Sequence, residues 1–244
     1  MIEFLSAHLM QLTGVILGLI TLIFVGWTRL LPATSRQFGY AVATAAGAMA
    51  VVYLATAPLQ QVLGIGEDPI RFLGYTAMWI PFVLVIGAIA GASKQLILGL
   101  LGVVLTRVWV TYFAGFLDGI AMILASLTPF VLLVVGIFLL YGPFERAANE
   151  QSPARSLLYS KLANLVVLAW MGLVANGLIA AFQLVDDFVG GVVLVYVEII
   201  LVVGFGALVL RNADALEDVS TGLLSFDEDA SVPTEPAETQ TTGD

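Results

Sequence analysis

Long apolar runs, nearly unbroken by charge, recur seven times along the chain. A hydrocarbon core about 30 Å thick needs about 20 mostly apolar residues in helical form. Stretches of that kind fall near residues 8 to 27, 38 to 60, 70 to 90, 95 to 113, 117 to 141, 159 to 182 and 188 to 210. The runs are continuous rather than alternating, which argues against a closed barrel, the other structure that satisfies every backbone group in lipid. The pattern predicts an all-α membrane protein, a seven-transmembrane-helix bundle. The first run is longer than a signal-peptide core and is followed by Arg29 with no small-residue cleavage pattern, so it reads as a retained span. The connections are short apart from Gly142 to Leu158, which predicts one bundle rather than two domains. The density of Ala41, Ala43, Ala45, Ala46, Gly47, Ala48 and Ala50 in the second span fits close helix packing in a membrane.

Charge sets the expected orientation. Arg29, Arg36, Lys94, Arg146, Arg155, Lys161 and Arg211 fall in or beside one alternate set of connections, and Glu67, Asp68, Asp118, Asp186 and Asp187 in the other. Because Lys and Arg are held on the cytoplasmic side, the N-terminus is expected outside and the C-terminus in the cytoplasm, with the chain in the cell membrane. Only Arg71 and Arg107 lie on the outer side or within the bilayer. The composition, 60% hydrophobic and 11% charged, with a mean hydropathy of +1.02, is far from the roughly 25% charged content of a soluble domain. Much of the net charge of -9 follows Asp214, in Asp227, Glu228, Asp229, Glu235, Glu238 and Asp244. A transmembrane domain is therefore expected over 1–212 and an acidic, disordered cytoplasmic tail over 213–244. The tail suits a high-salt cytoplasm, and the acidic balance gives no reason to expect nucleic acid.

The chain has no cysteine and a single histidine, His8, so thiolate chemistry, a histidine-based triad and a multi-histidine metal site are excluded. An enzyme is not expected. Three ionisable residues fall within the spans, each needing a partner or water. Glu198 lies about ten residues into the last span, roughly 15 Å deep. It either pairs with Arg71 at the start of the third span or stays neutral on a backbone carbonyl or hydroxyl. Arg107 either snorkels outward, approaches Asp118 at the start of the fifth span, or pairs with a carboxylate on a partner helix.

The segment VYVEIILVVGFGALVLRN, from Val195 to Asn212, resembles the last helix of the microbial rhodopsins, the haloarchaeal members above all. Val203, Gly204, Phe205 and Gly206 reproduce the end of that motif, Glu198 takes its acidic position and Val202 the position of the retinal-binding lysine. Tyr159, Leu162, Asn164, Val167 and Trp170 carry a Y-x-x-L-x-N-x-x-V-x-x-W framework most similar to the sensory branch. By the same resemblance Trp170 is the tryptophan over the retinal chain, Tyr53 is a family tyrosine, and Leu173, Val174 and Gly177 replace aromatic and proline positions of the pocket wall. The third span, RFLGYTAMWIP from Arg71 to Pro81, departs most. Arg71 is kept, Gly74 takes the counterion position, Tyr75 that of a tryptophan, and the stretch is one residue longer than the family pattern. The proton donor of pumping members would fall near Val85 or Ile86, both apolar.

A retinal Schiff base needs an interior lysine amine beside a counterion, and the chain has only Lys94 and Lys161, both near span ends. The resemblance thus implies an opsin-like protein with no covalent cofactor and no light-driven pumping. A channel is unsupported without a charged ring, and a secondary transporter without broken helices in repeated halves. The expected function is signalling or regulation through a membrane transducer or a homo-oligomer, as in sensory members of that family. The alternative is a photoreceptor or carrier holding retinal or a carotenoid non-covalently, with Trp170, Tyr53, Tyr75 and Phe182 as aromatic contacts.

Overall fold

The structure, a computed structural model, describes residues 2–64, 66–217 and Val219. Among them seven helices are long and apolar enough to cross a membrane, and the chain is a multi-pass membrane protein. The spans are Ile2–Arg29, Arg36–Leu63, Glu67–Ala90, Lys94–Ala114, Gly119–Leu139, Pro153–Ala181 and Asp187–Arg211. Most ends lie within a few residues of the sequence expectation, but the sixth span starts at Pro153 rather than near 159. Proline is favoured in a first helical turn, where its missing N–H has no partner to lose. The fifth span runs on through a π-helical turn, Leu140–Phe144, and a short helix, Glu145–Asn149.

Local chemistry fixes several ends. Asp186 accepts a hydrogen bond from the backbone N–H of Val189 at 2.8 Å and so caps the seventh span. The second and third spans stop at Gly64 and Gly91, whose φ values of 64° and 66° suit glycine. Arg155, assigned by sequence to a connection, is buried. Its guanidinium donates to the carbonyls of Ala88 at 2.8 Å and Ile89 at 3.2 Å, acceptors that the end of the third span leaves open.

The interior is apolar and the outer surface is too, as a bilayer requires. Leu22, Ile23, Val62, Ile120 and Phe138 are among the large side chains left exposed for lipid. Tight approaches hold the bundle together: a Cβ at Gly39 would lie 2.3 Å from Oγ1 of Thr28 in the first span, and one at Gly206 would lie 2.2 Å from the Phe24 ring. Without a hydrophobic drive between helices in lipid, such close contact is what holds them.

Each span packs along its sequence neighbour except the fifth and sixth, and the seventh closes the ring against the first. The fifth and sixth are joined at the end of the bundle bearing Arg155, the basic end. They separate toward the end bearing Glu67 and Asp118, the acidic end.

The described residues continue a little past residue 212, where the transmembrane domain was expected to end. Residues 213–216 form a 3-10 turn, Ala213, Leu216 and Val219 are buried, and Ser35 donates to the Ala213 carbonyl at 3.0 Å. The chain after the last span stays docked because these positions are apolar; the acidic cluster from Asp227 onward lies outside the described residues.

Candidate functional site

Glu67, Arg71 and Tyr75 follow one another at four-residue spacing and share one face of the third span. They carry charge inward from the acidic end toward Glu198, which is 3% exposed in the seventh span. Nη1 of Arg71 is 3.7 Å from Glu67 and Nη2 is 4.0 Å from Oε1 of Glu198. Nη2 also donates to the hydroxyl of Tyr75 at 3.0 Å, and Tyr75 donates in turn to Oε1 of Glu198. The other carboxylate oxygen accepts from the hydroxyl of Tyr53 in the second span. Both sequence readings of Glu198 have a partner in place: Arg71, with Nη2 4.0 Å away, and the hydroxyls of Tyr53 and Tyr75. Since Tyr75 accepts from Arg71, its own proton is free to point at Glu198. A tyrosine hydroxyl thus lies against each carboxyl oxygen of Glu198.

Packing turns Gly74 toward the second span and Tyr75 toward Glu198. A Cβ at Gly74 would meet Val52 of the second span at 2.9 Å, whereas Tyr75 is the residue that faces Glu198.

Aromatic side chains pack much of the interior. Val202 is 1% exposed. Trp79 and Trp170 touch with ring centroids 5.6 Å apart, and Phe82 stacks on Phe205 at 4.0 Å and 8°. Gly136 of the fifth span makes room for the Trp170 ring, which a Cβ there would meet at 3.0 Å. Sequence reasoning passed over Gly136, Phe82 and Trp79 as pocket-filling residues, because a lone glycine or aromatic in an apolar span carries no signal of its neighbours. Lys94 and Lys161 are both exposed.

A cavity of about 530 Å³ opens where the fifth and sixth spans separate. Tyr75, Arg71 and Glu198 reach its wall, as do Leu173, Val174 and Gly177. The positions that the resemblance marked as a depleted wall are therefore the ones that make the space. Tyr53 is sealed behind Glu198 and Trp170 lies outside the lining, while Phe182 is 71% exposed on the outer surface. Of the four aromatic contacts expected from sequence, only Tyr75 lines the cavity.

Arg107 corrects another expectation. It lines the cavity instead of facing lipid, with its guanidinium over the ring of Trp170 at 5.7 Å. Trp170 lies eleven residues, about 16 Å, from the end of the sixth span, and Arg107 seven, about 10 Å, from the end of the fourth. The side chain therefore runs deeper into the bundle rather than toward the surface. Among the described residues no ion pair joins it to Asp118, because Asp118 stays exposed at the acidic end.

No protein-family model matches the chain, and no curated protein does. Solved structures do. The chain is similar to thermophilic rhodopsin from Rubrobacter xylanophilus, with a TM-score of 0.78 at 20% identity over 88% of this chain and 98% of that one. It is similar also to the light-driven proton pump rhodopsin of Coccomyxa subellipsoidea, with a TM-score of 0.73 at 17% identity over 84% of this chain and 96% of the other. Halorhodopsin from Halobacterium salinarum, in its bromide-bound form, gives 0.75 at 14% identity, covering 86% and 93%. The chain has the seven-helix fold of the microbial rhodopsins. That fold implies retinal, and the residues present do not fit it as a Schiff base, since Val202 offers no amine and both lysines are exposed near span ends.

Proposed function

We propose that this chain is a retinal-free member of the microbial rhodopsin family that acts as a signalling or regulatory membrane protein and not as a light-driven pump. The observation that carries this reading is the buried Val202 where the resemblance calls for a lysine, in an interior without any other primary amine. Pumping also needs ionisable groups spaced across the membrane. Val85 and Ile86 are 0% and 1% exposed, and the Phe82–Phe205 stack fills the path beyond Glu198. Glu198 and its partners then form a fixed polar joint between the second, third and seventh spans. A signal would leave through contacts with a membrane transducer or a second copy of the chain. Function in the cell membrane of a halophile, with a cytoplasmic C-terminus, completes the reading.

The cavity supports a second reading, in which an apolar ligand such as retinal or a carotenoid is held without a covalent bond. Its volume falls within the roughly 300–1,000 Å³ of small-molecule sites. Incubating the purified chain with all-trans retinal separates the two. A colourless, unresponsive preparation is expected from the first. A visible band that survives washing and leaves on organic extraction is expected from the second, and a band that survives extraction defeats both.

A further inference from the structure

Three charged side chains line the cavity, Arg71, Arg107 and Glu198, so its wall carries one positive charge in excess. Arg71 is answered twice, by Glu67 and by Glu198. Arg107 is answered by no acidic side chain within 4.0 Å among the described residues. Its Nε is buried without a hydrogen-bond partner. The Trp170 ring covers one side of the guanidinium, a contact that offsets only part of the cost of a cation at this depth. A half-buried guanidinium with an unpartnered Nε in such a place calls for an anion.

The rest of the wall is mostly apolar, with Met78, Trp79, Pro129 and Phe130 beside the residues already named. Phe130 on the fifth span and Leu178 on the sixth both line the cavity and are 45% and 46% exposed on the lipid side, so its mouth faces hydrocarbon. A ligand would come through that gap from the bilayer.

We propose that the cavity binds an amphiphile with one anionic head and an apolar chain, the head seated on Arg107 and the chain lying between the fifth and sixth spans. This deepens the second reading above by naming the ligand class, and it leaves the absence of a Schiff base untouched. A fatty-acid-type carboxylate and an anionic phospholipid share the required chemistry.

The test uses the full chain in detergent with cis-parinaric acid as a fluorescent probe and its methyl ester as the neutral counterpart. Excitation of tryptophan reports energy transfer to the bound polyene. The acid is expected to bind at least tenfold more tightly than the ester, and Arg107→Leu to erase that preference while Arg107→Lys keeps part of it. A Cβ at Gly177 meets nothing within 4 Å, so Gly177→Trp fills the cavity and is expected to lose both probes without a lower unfolding temperature. Displacement by oleate but not by phosphatidylglycerol identifies a free carboxylate, and displacement by both identifies membrane phospholipid as a source. Equal binding of acid and ester, or a preference that survives Arg107→Leu, overturns the anionic head while leaving an apolar cavity site. Binding of neither probe overturns the proposal together with the cavity reading.

Discussion

Tyr75 hands a hydrogen bond to Glu198 while its own oxygen accepts one from Arg71 at 3.0 Å. A charge at the edge of the third span is thereby connected to a carboxylate buried in the seventh. Glu198 also accepts from Tyr53, so three spans meet at one side chain.

Removing that side chain strands its partners. Glu198→Ala leaves two tyrosine hydroxyls without their acceptor and takes from Arg71 one of its two acidic partners, and loss of one member of a buried pair costs about 3–5 kcal/mol. Tyr53→Phe removes a single donor and is expected to cost about 1–3 kcal/mol. Thermal unfolding in detergent should rank the variants in that order; an Ala variant as stable as wild type would show that the joint bears no load.

An ion pair with Arg71 predicts an ionised Glu198. Infrared spectra at neutral pH should lack a protonated-carboxyl band that Glu198→Gln removes, and Arg71→Ala should bring that band in. A protonated Glu198 in both wild type and Arg71→Ala would contradict the bridged ion pair.

Gly74→Asp is expected to destabilise the bundle rather than supply a second interior carboxylate. Its Cβ would press on Val52 at 2.9 Å, and the carboxyl would be directed at the second span. Lower thermal stability with no new titrating carboxyl near Glu198 is the outcome that checks it, and an unchanged unfolding temperature would contradict the packing of Gly74 on Val52.

Two glycines of similar sequence setting should behave oppositely. Gly206→Ala drives a methyl into the Phe24 ring, 2.2 Å away, and overpacking of this kind costs about 1–3 kcal/mol. Gly177→Ala meets open space and gains helix propensity of up to about 1 kcal/mol. Unfolding temperatures that move the same way in both variants would argue against these packing assignments.

Span number, short connections and the polar identity of Glu198 and Arg71 were legible from the sequence because lipid imposes them: length, hydropathy and rare charge are all one-dimensional signals. The contact of Tyr75 with Glu198 was not, since composition does not show which face of a mostly apolar helix turns inward. Arg107 was misread for a related reason. A helix with apolar residues all round gives no face to orient by, so only packing could show that this side chain runs inward over Trp170. The gap between the fifth and sixth spans is likewise invisible in either span alone. It arises from Leu173, Val174 and Gly177 standing opposite Ser126, Pro129 and Phe130.

The central claim, that no amine in the bundle can capture retinal, is tested by intact mass. The chain is expressed with all-trans retinal, reduced with borohydride, denatured and weighed, with a lysine-bearing microbial rhodopsin treated alongside as the positive control. The account predicts the unmodified mass of this chain beside a retinyl adduct in the control. A retinyl adduct on this chain, traced by peptide mapping to Lys94 or Lys161, would contradict it.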